Sequence, residues 1–270
     1  MTILRTPKAQ LFVIFGLLLA ILVPSGLPLT NVLVALLTAG ALDAIWMRID
    51  GGGWRLPTSA FLTALIVVFV LAPSESALVV AWTCAFAIAA KRLARTRREH
   101  IFNPAALALL WAPIAFASGE SWWGALGDLP AVWSIVLVVL GGFLVGRLNK
   151  FPLVLTFLAT YFGLFTAVSL LHPALVAEMF RAPFIQAALF LAFFMLTDPP
   201  TSPNQYGDQI WYGLLAAAAA CLAQLLGAGQ VFLLVGVLVA NVALAGVRVW
   251  RRKSATPRAA PAGWQTLTTE

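Results

Sequence analysis

Apolar runs of roughly 15–20 residues follow one another along this chain, each closed by proline, glycine or charge, and they predict membrane-spanning helices. The runs lie near residues 10–28, 29–47, 57–73, 77–91, 101–117, 130–148, 152–171, 183–197, 209–226 and 230–248. The expected fold is therefore all-α: a polytopic membrane domain over 1–250, followed at 251–270 by a flexible basic tail rich in Ala, Pro, Ser and Thr. The first run is long and is followed at once by a second, so it reads as an anchor rather than as a cleaved signal.

Two stretches break this pattern. The run at 183–196 is 14 residues, about 21 Å as a helix against a hydrocarbon core of ~30 Å. It ends in Thr197-Asp198-Pro199-Pro200-Thr201-Ser202-Pro203, where adjacent prolines remove donors and forbid helical geometry. An Asn103-Pro104 step opens the fifth run in the same way. Broken backbone is tolerated at membrane depth only where protein or a watery cavity surrounds it, so both segments are expected inside the bundle or at its mouth. Ten runs split into five and five, and an odd number per half inverts one half relative to the other. The repeats would span about 10–117 and 130–248.

Charge orients the bundle. Of 17 Lys and Arg, only Arg181 falls on the side opposite the termini, which predicts both termini in the cytoplasm. The cluster Lys91, Arg92, Arg95, Arg97 and Arg98 is most simply part of this anchor. A net charge of +7 thus speaks of orientation rather than of nucleic acid.

Composition excludes several chemistries. With 61% hydrophobic and 10% charged residues there is no room for a soluble catalytic module, so the chain is not expected to be an enzyme alone. Cys84 and Cys221 are too few for an iron–sulfur cluster, and no metal site is expected. His100 and His172 lie at opposite ends of their runs, about one bilayer apart, so they cannot ligate one haem.

At the broken segments the chain resembles a known family. Phe193-Phe194-Met195-Leu196-Thr197-Asp198-Pro199-Pro200-Thr201-Ser202-Pro203 is similar to the signature of the RnfD membrane protein of Rnf electron-transport complexes and of the NqrB protein of the sodium-pumping NADH:quinone reductase. Ser59-Ala60-Phe61-Leu62-Thr63-Ala64 and His100-Ile101-Phe102-Asn103-Pro104-Ala105 resemble two further segments of these proteins, in the same order, and Gly141-Gly142 also fits. The resemblance implies ten helices in two inverted repeats, flavin as cofactor (FMN or riboflavin), and other membrane subunits of a redox-driven, ion-translocating complex as partners. The family attaches one FMN to the threonine of a Ser/Asp-Gly-Ala-Thr motif, where this chain has Ser118-Gly119-Glu120-Ser121. With serine for threonine and glutamate for alanine, the expectation is non-covalent flavin, and Ser121 is the weakest candidate. Its plainer role is in a turn anchored at the membrane face by Trp122 and Trp123.

The cofactor-binding candidates are Asn103, Thr197, Asp198, Thr201, Ser202 and Ser121. Each has a structural alternative: Asn103 and the hydroxyls can satisfy orphaned backbone, and Asp198 can cap amides before the double proline. Asp43 and Asp198 are candidates for an ion pathway, since a carboxylate within a span is costly unless paired or hydrated. The alternative for Asp43 is a snorkelling contact with Arg48. Gln186, Gln224 and Asn241 are expected to bridge helices, and both cysteines to pack as small residues. Two rival functions share these features: a transporter or channel built on inverted repeats, and a cofactor-free accessory subunit.

Overall fold

The computed structural model describes residues 6–51, 53, 55–93, 100–130 and 132–254. Arg95, Arg97 and Arg98, and the tail beyond Ser254, lie outside them. Among the described residues the chain is helical, with one isolated antiparallel bridge between Leu71 and Glu120.

Five helices make up the first half: α1 (Pro7–Leu22), α2 (Leu29–Ile49), α3 (Thr58–Val70), α4 (Ala77–Leu93) and α5 (Pro104–Phe116). The second half holds α6 (Trp133–Leu148), α7 (Phe151–Leu171), the short α8 (Pro173–Val176), α9 (Ala182–Phe190), α10 (Tyr206–Leu225) and α11 (Phe232–Ser254). Every apolar run of the sequence contains a helix. The connection expected at 172–182 holds α8 and a 3-10 turn at Ala177–Phe180 instead of open loop. The turn meets α9 at a bend of 66°.

By length and composition, three helices among the described residues are long and apolar enough to cross a membrane alone, namely α2, α7 and the helical stretch Gly229–Ser254. Pro173–Phe180 and Ala182–Met195 are apolar enough together but bent at their junction, as in a broken span or a re-entrant loop. The apolar helices α1, α3, α5 and α6 are shorter, and α3 shows how a short one survives: all residues from Leu62 to Val70 are buried, so neighbouring helices replace the lipid it cannot reach across. In the first half α2, α4 and α5 pack in sequence, and in the second half α7, α10 and α11 do the same. α1 packs on α6, and α5 on α11.

Four rings tie the centre together. Phe15 of α1, Phe69 of α3, Phe190 of α9 and Phe194 just beyond α9 form a closed set with centroids 5.2–6.2 Å apart. Small residues permit close approach elsewhere. A Cβ on Gly141 of α6 would fall 2.2 Å from the Phe193 ring, and one on Gly213 of α10 would fall 2.6 Å from the Leu153 carbonyl. Cys84 and Cys221 are buried thiols within the packing.

Basic groups gather at one end of the bundle, called here the charged end: Lys8 in the first turn of α1, Arg48 closing α2, Lys91 and Arg92 closing α4, Arg147 and Lys150 between α6 and α7, and Arg251 closing α11. Arg181 stands at the far end, paired at 2.8 Å with Glu178.

Candidate functional site at the broken helix

After Phe190 the α-helical ladder widens into a π turn over Leu191–Met195, closed by the Leu196 amide on the Leu191 carbonyl at 2.9 Å. Turns of this kind recur at functional sites because they redirect the side chains that follow. The chain then leaves helical geometry through Pro203 and resumes at α10.

Carbonyls freed by the break find donors. The Thr197 hydroxyl donates to the Phe193 carbonyl at 2.6 Å, and the Asn103 side-chain amide to the Met195 carbonyl at 3.2 Å. Asn241 donates to the Thr201 carbonyl at 3.2 Å, Arg248 to Ser202 at 3.4 Å, and Gln209 to Asn204 at 3.2 Å. The Lys150 ammonium donates to the Pro203 carbonyl and, at 3.0 Å, to the Asn204 side chain. An unsatisfied carbonyl at this depth would cost several kcal/mol, so these side chains are what permits a double proline inside the protein. Burial holds the Lys150 amine down at about 8, Arg248 adding to the effect and Asp198 opposing it.

Beside the break lies a cavity of about 260 Å³. Its walls are largely apolar, with Leu11, Leu62, Ile66, Leu144, Leu148 and Phe194. Its polar groups are Ser59 and Thr63 from α3, His100 and Asn103 before α5, Thr197 and Asp198 from the break, and Lys8 and Lys91. The three segments singled out in the sequence, far apart along the chain, thus meet at one chamber.

Three of the candidates line it: Asn103, Thr197 and Asp198. Asn103 also caps α5, its side-chain oxygen accepting the Ala106 amide at 3.1 Å. The Asp198 carboxylate accepts the Thr201 hydroxyl at 2.9 Å, while its backbone carbonyl takes the amides of Thr201 and Ser202. Thr201 therefore stands behind Asp198 rather than in the chamber. Ser202 is fully buried behind the wall, its hydroxyl making no hydrogen bond among the described residues.

Asp43 is buried, and its partner is Arg92 of α4 at 3.0 Å rather than Arg48, the snorkelling contact that stood as the alternative to a pathway role. Arg92 also holds Asp50 at 2.7 Å, so one guanidinium joins Asp43 within α2 to Asp50 at its end. Gln186 bridges α9 to Ser134 at 3.0 Å, and Asn241 bridges α11 to the break.

Ser121 sits at the far end. It lines a small pocket of about 70 Å³ with Trp122, Pro183, Phe184 and Phe232, about 20 Å from Asp198 along the rise of α9 and its π turn. The Ser121 hydroxyl is covered by protein and makes no hydrogen bond among the described residues. Trp122 is buried and donates to the Gln230 carbonyl at 3.1 Å, so it is a packing residue rather than an interfacial anchor. Glu120 is buried near it, and one of its carboxyl oxygens is without a partner among the described residues. Burial pushes its carboxyl up to about 8; a backbone hydrogen bond at its own residue opposes the rise, and the charge of Glu75 adds to it.

Sequence reasoning missed Lys150 and the pairing partner of Asp43. For Lys150 a signal existed, since a proline-rich break needs donors and a lysine stands just before the apolar run at 152–171. Arg92 was visible only as one member of a basic cluster.

A helical membrane protein with an enclosed, broken helix and a polar-lipped chamber is the class these features define. The family model of the NQR2, RnfD and RnfE proteins matches residues 120–255, half of the chain, and the chain belongs to that family of electron-transport-complex membrane subunits. A search of curated proteins finds none that matches.

Proposed function

We propose that the protein holds a flavin, as FMN or riboflavin and without a covalent bond, in the chamber beside the broken helix, and relays electrons as one subunit of a redox complex. The observation that carries this reading is the meeting of the segments 59–64, 100–105 and 193–203 around one cavity.

The chamber suits part of such a ligand. Its volume of about 260 Å³ lies just under the ~300–1,000 Å³ usual for small-molecule clefts, which is room for a planar ring system with its tail toward the mouth. Leu62, Ile66 and Phe194 would sandwich an aromatic ring, Asn103 and Thr197 would offer hydrogen bonds at its edge, and Lys8 and Lys91 would meet an anionic tail. A bound flavin would supply the redox chemistry; the protein contributes position, exclusion of water and a fixed electrostatic setting. Asp198, held by Thr201, places a carboxylate at the rim, where it would act on the ring or on a cation moving with the electron.

The same reading takes α1–α5 and α6–α11 as two inverted repeats, supported by the parallel packing of α2–α4–α5 and α7–α10–α11. It also puts the charged end in the cytoplasm of a bacterial inner membrane, supported by the segregation of the basic residues.

The test is an absorbance spectrum of the purified chain before and after acid precipitation. Flavin that stays in the supernatant, and that Thr197→Val or Asp198→Leu reduces, supports the proposal. Flavin that precipitates with wild-type chain but not with Ser121→Ala overturns the non-covalent assignment. A colourless protein that conducts a solute moves the reading to a transporter.

A further inference from the structure

We propose that the outer face of α11 carries a binding site for an anionic phospholipid, its phosphate beside Arg252 and Lys253 and an acyl chain laid along Val242, Gly246 and Val249.

α11 has two unlike faces. Asn241 points inward to Tyr212 at 2.5 Å and to the Thr201 carbonyl, Arg248 reaches the Ser202 carbonyl, and Arg251 grips Asp208 of α10 with two bonds of 2.6 and 2.8 Å. Val242, Gly246, Val249 and Lys253 recur at three- and four-residue spacing and form a second, exposed stripe, which Ala245 and Arg252, each four residues beyond Asn241 and Arg248, border on the inward side. That stripe floors a groove of about 470 Å³ whose second wall is His100 and Ile101.

Three features choose the occupant. The floor of the groove is open at Gly246, where an added Cβ would meet nothing within 4 Å. From Phe232 to Arg252 the helix rises about 30 Å, the thickness of the hydrocarbon core, which sets the basic pair at phosphate depth in a bilayer. Among the described residues the charged side chains lining the groove, Arg248, Arg252 and Lys253, are basic, and Trp250 stands 67% exposed at the same level, as an interfacial ring does. An apolar trough ending in basic groups complements an acyl chain that ends in a phosphate.

The experiment is native mass spectrometry of the full chain in detergent, titrated with phosphatidylglycerol or phosphatidylcholine. The expected result is preferential retention of phosphatidylglycerol. Arg252→Gln with Lys253→Gln should weaken it about 30-fold, two charges at the surface. Gly246→Leu, which fills the trough and leaves charge unchanged, should weaken retention of both lipids. Equal retention of the two lipids overturns the proposal, as does unaltered retention in both variants. Displacement by millimolar inorganic phosphate together with an inert Gly246→Leu also overturns it, since the site would then be for a free anion.

Discussion

The backbone amide of Asn103 donates to the side-chain oxygen of Asn241 at 2.8 Å, joining the interrupted start of α5 to the middle of α11 although the residues are 138 positions apart. The Asn241 nitrogen continues the link to the Thr201 carbonyl and the Tyr212 hydroxyl. One side chain thereby holds the entrance of α5, the broken segment and α10 in a fixed relation.

Asn241→Leu should therefore be severe. It strands a buried amide, a carbonyl and a hydroxyl at once, and each such loss costs about 1–3 kcal/mol. A thermal unfolding scan in detergent should show a clear fall in Tm, and the flavin bound under the proposed function should fall with it.

Gly141→Ala tests the close approach of α6 to the π turn. The added methyl would overlap the base of the Phe193 ring, which cannot swing away as a side-chain tip can, and overpacking of this kind costs about 1–3 kcal/mol. Shrinking the ring partner in Gly141→Ala/Phe193→Leu should recover part of the loss, a non-additivity visible in a double-mutant cycle.

Glu120 should make stability fall as pH rises. Its carboxyl sits at about 8 in the folded chain against a usual 4.5, so the folded state binds the extra proton between those values. Stability from this group is complete below 4.5, declines through the interval and is level above 8. Glu120→Gln should flatten that slope and leave the protein more stable than wild type at about pH 8.5, as read by unfolding midpoints across a pH series.

Arg92→Met removes the shared partner of Asp43 and Asp50. Asp43 is buried and would be left as an uncompensated charge, a loss of roughly 3–5 kcal/mol where burial is complete and less where water reaches the carboxylate. Asp43→Asn in the same chain should restore much of it, which would identify the pair as a structural clamp. Failure of that rescue, with ion transport lost in a reconstituted complex, would favour the pathway role instead.

Helix positions were legible because lipid imposes a simple demand, an apolar run long enough to satisfy its own backbone, and each such run contains a helix. The run ending at Leu196 and the Asn103-Pro104 step were legible as defects for the same reason. Pairing was not. Arg48 lies five residues beyond Asp43 on the same helix and was the natural partner from local spacing, but α4 brings Arg92 closer through tertiary packing. Trp122 is a similar case: an aromatic beside a turn reads as interfacial until a neighbouring helix end covers it. Of the six cofactor candidates, Asn103, Thr197 and Asp198 line the chamber, whereas Thr201 and Ser202 lie behind it because the chain turns back on Asp198 after the double proline.

The wide turn at Leu191–Met195 accommodates one residue more than an ordinary helix would over the same rise. Removing a single residue there would return the ladder to regular spacing and twist everything downstream by about 100° about the axis. Asp198 would swing out of alignment with Lys8 and Asn103, and the carbonyls after the diproline would lose their donors on Lys150 and α11. Length at this point is thus as much a determinant of the chamber as chemistry, and a deletion scan through these five positions should be tolerated less well than any conservative replacement within them.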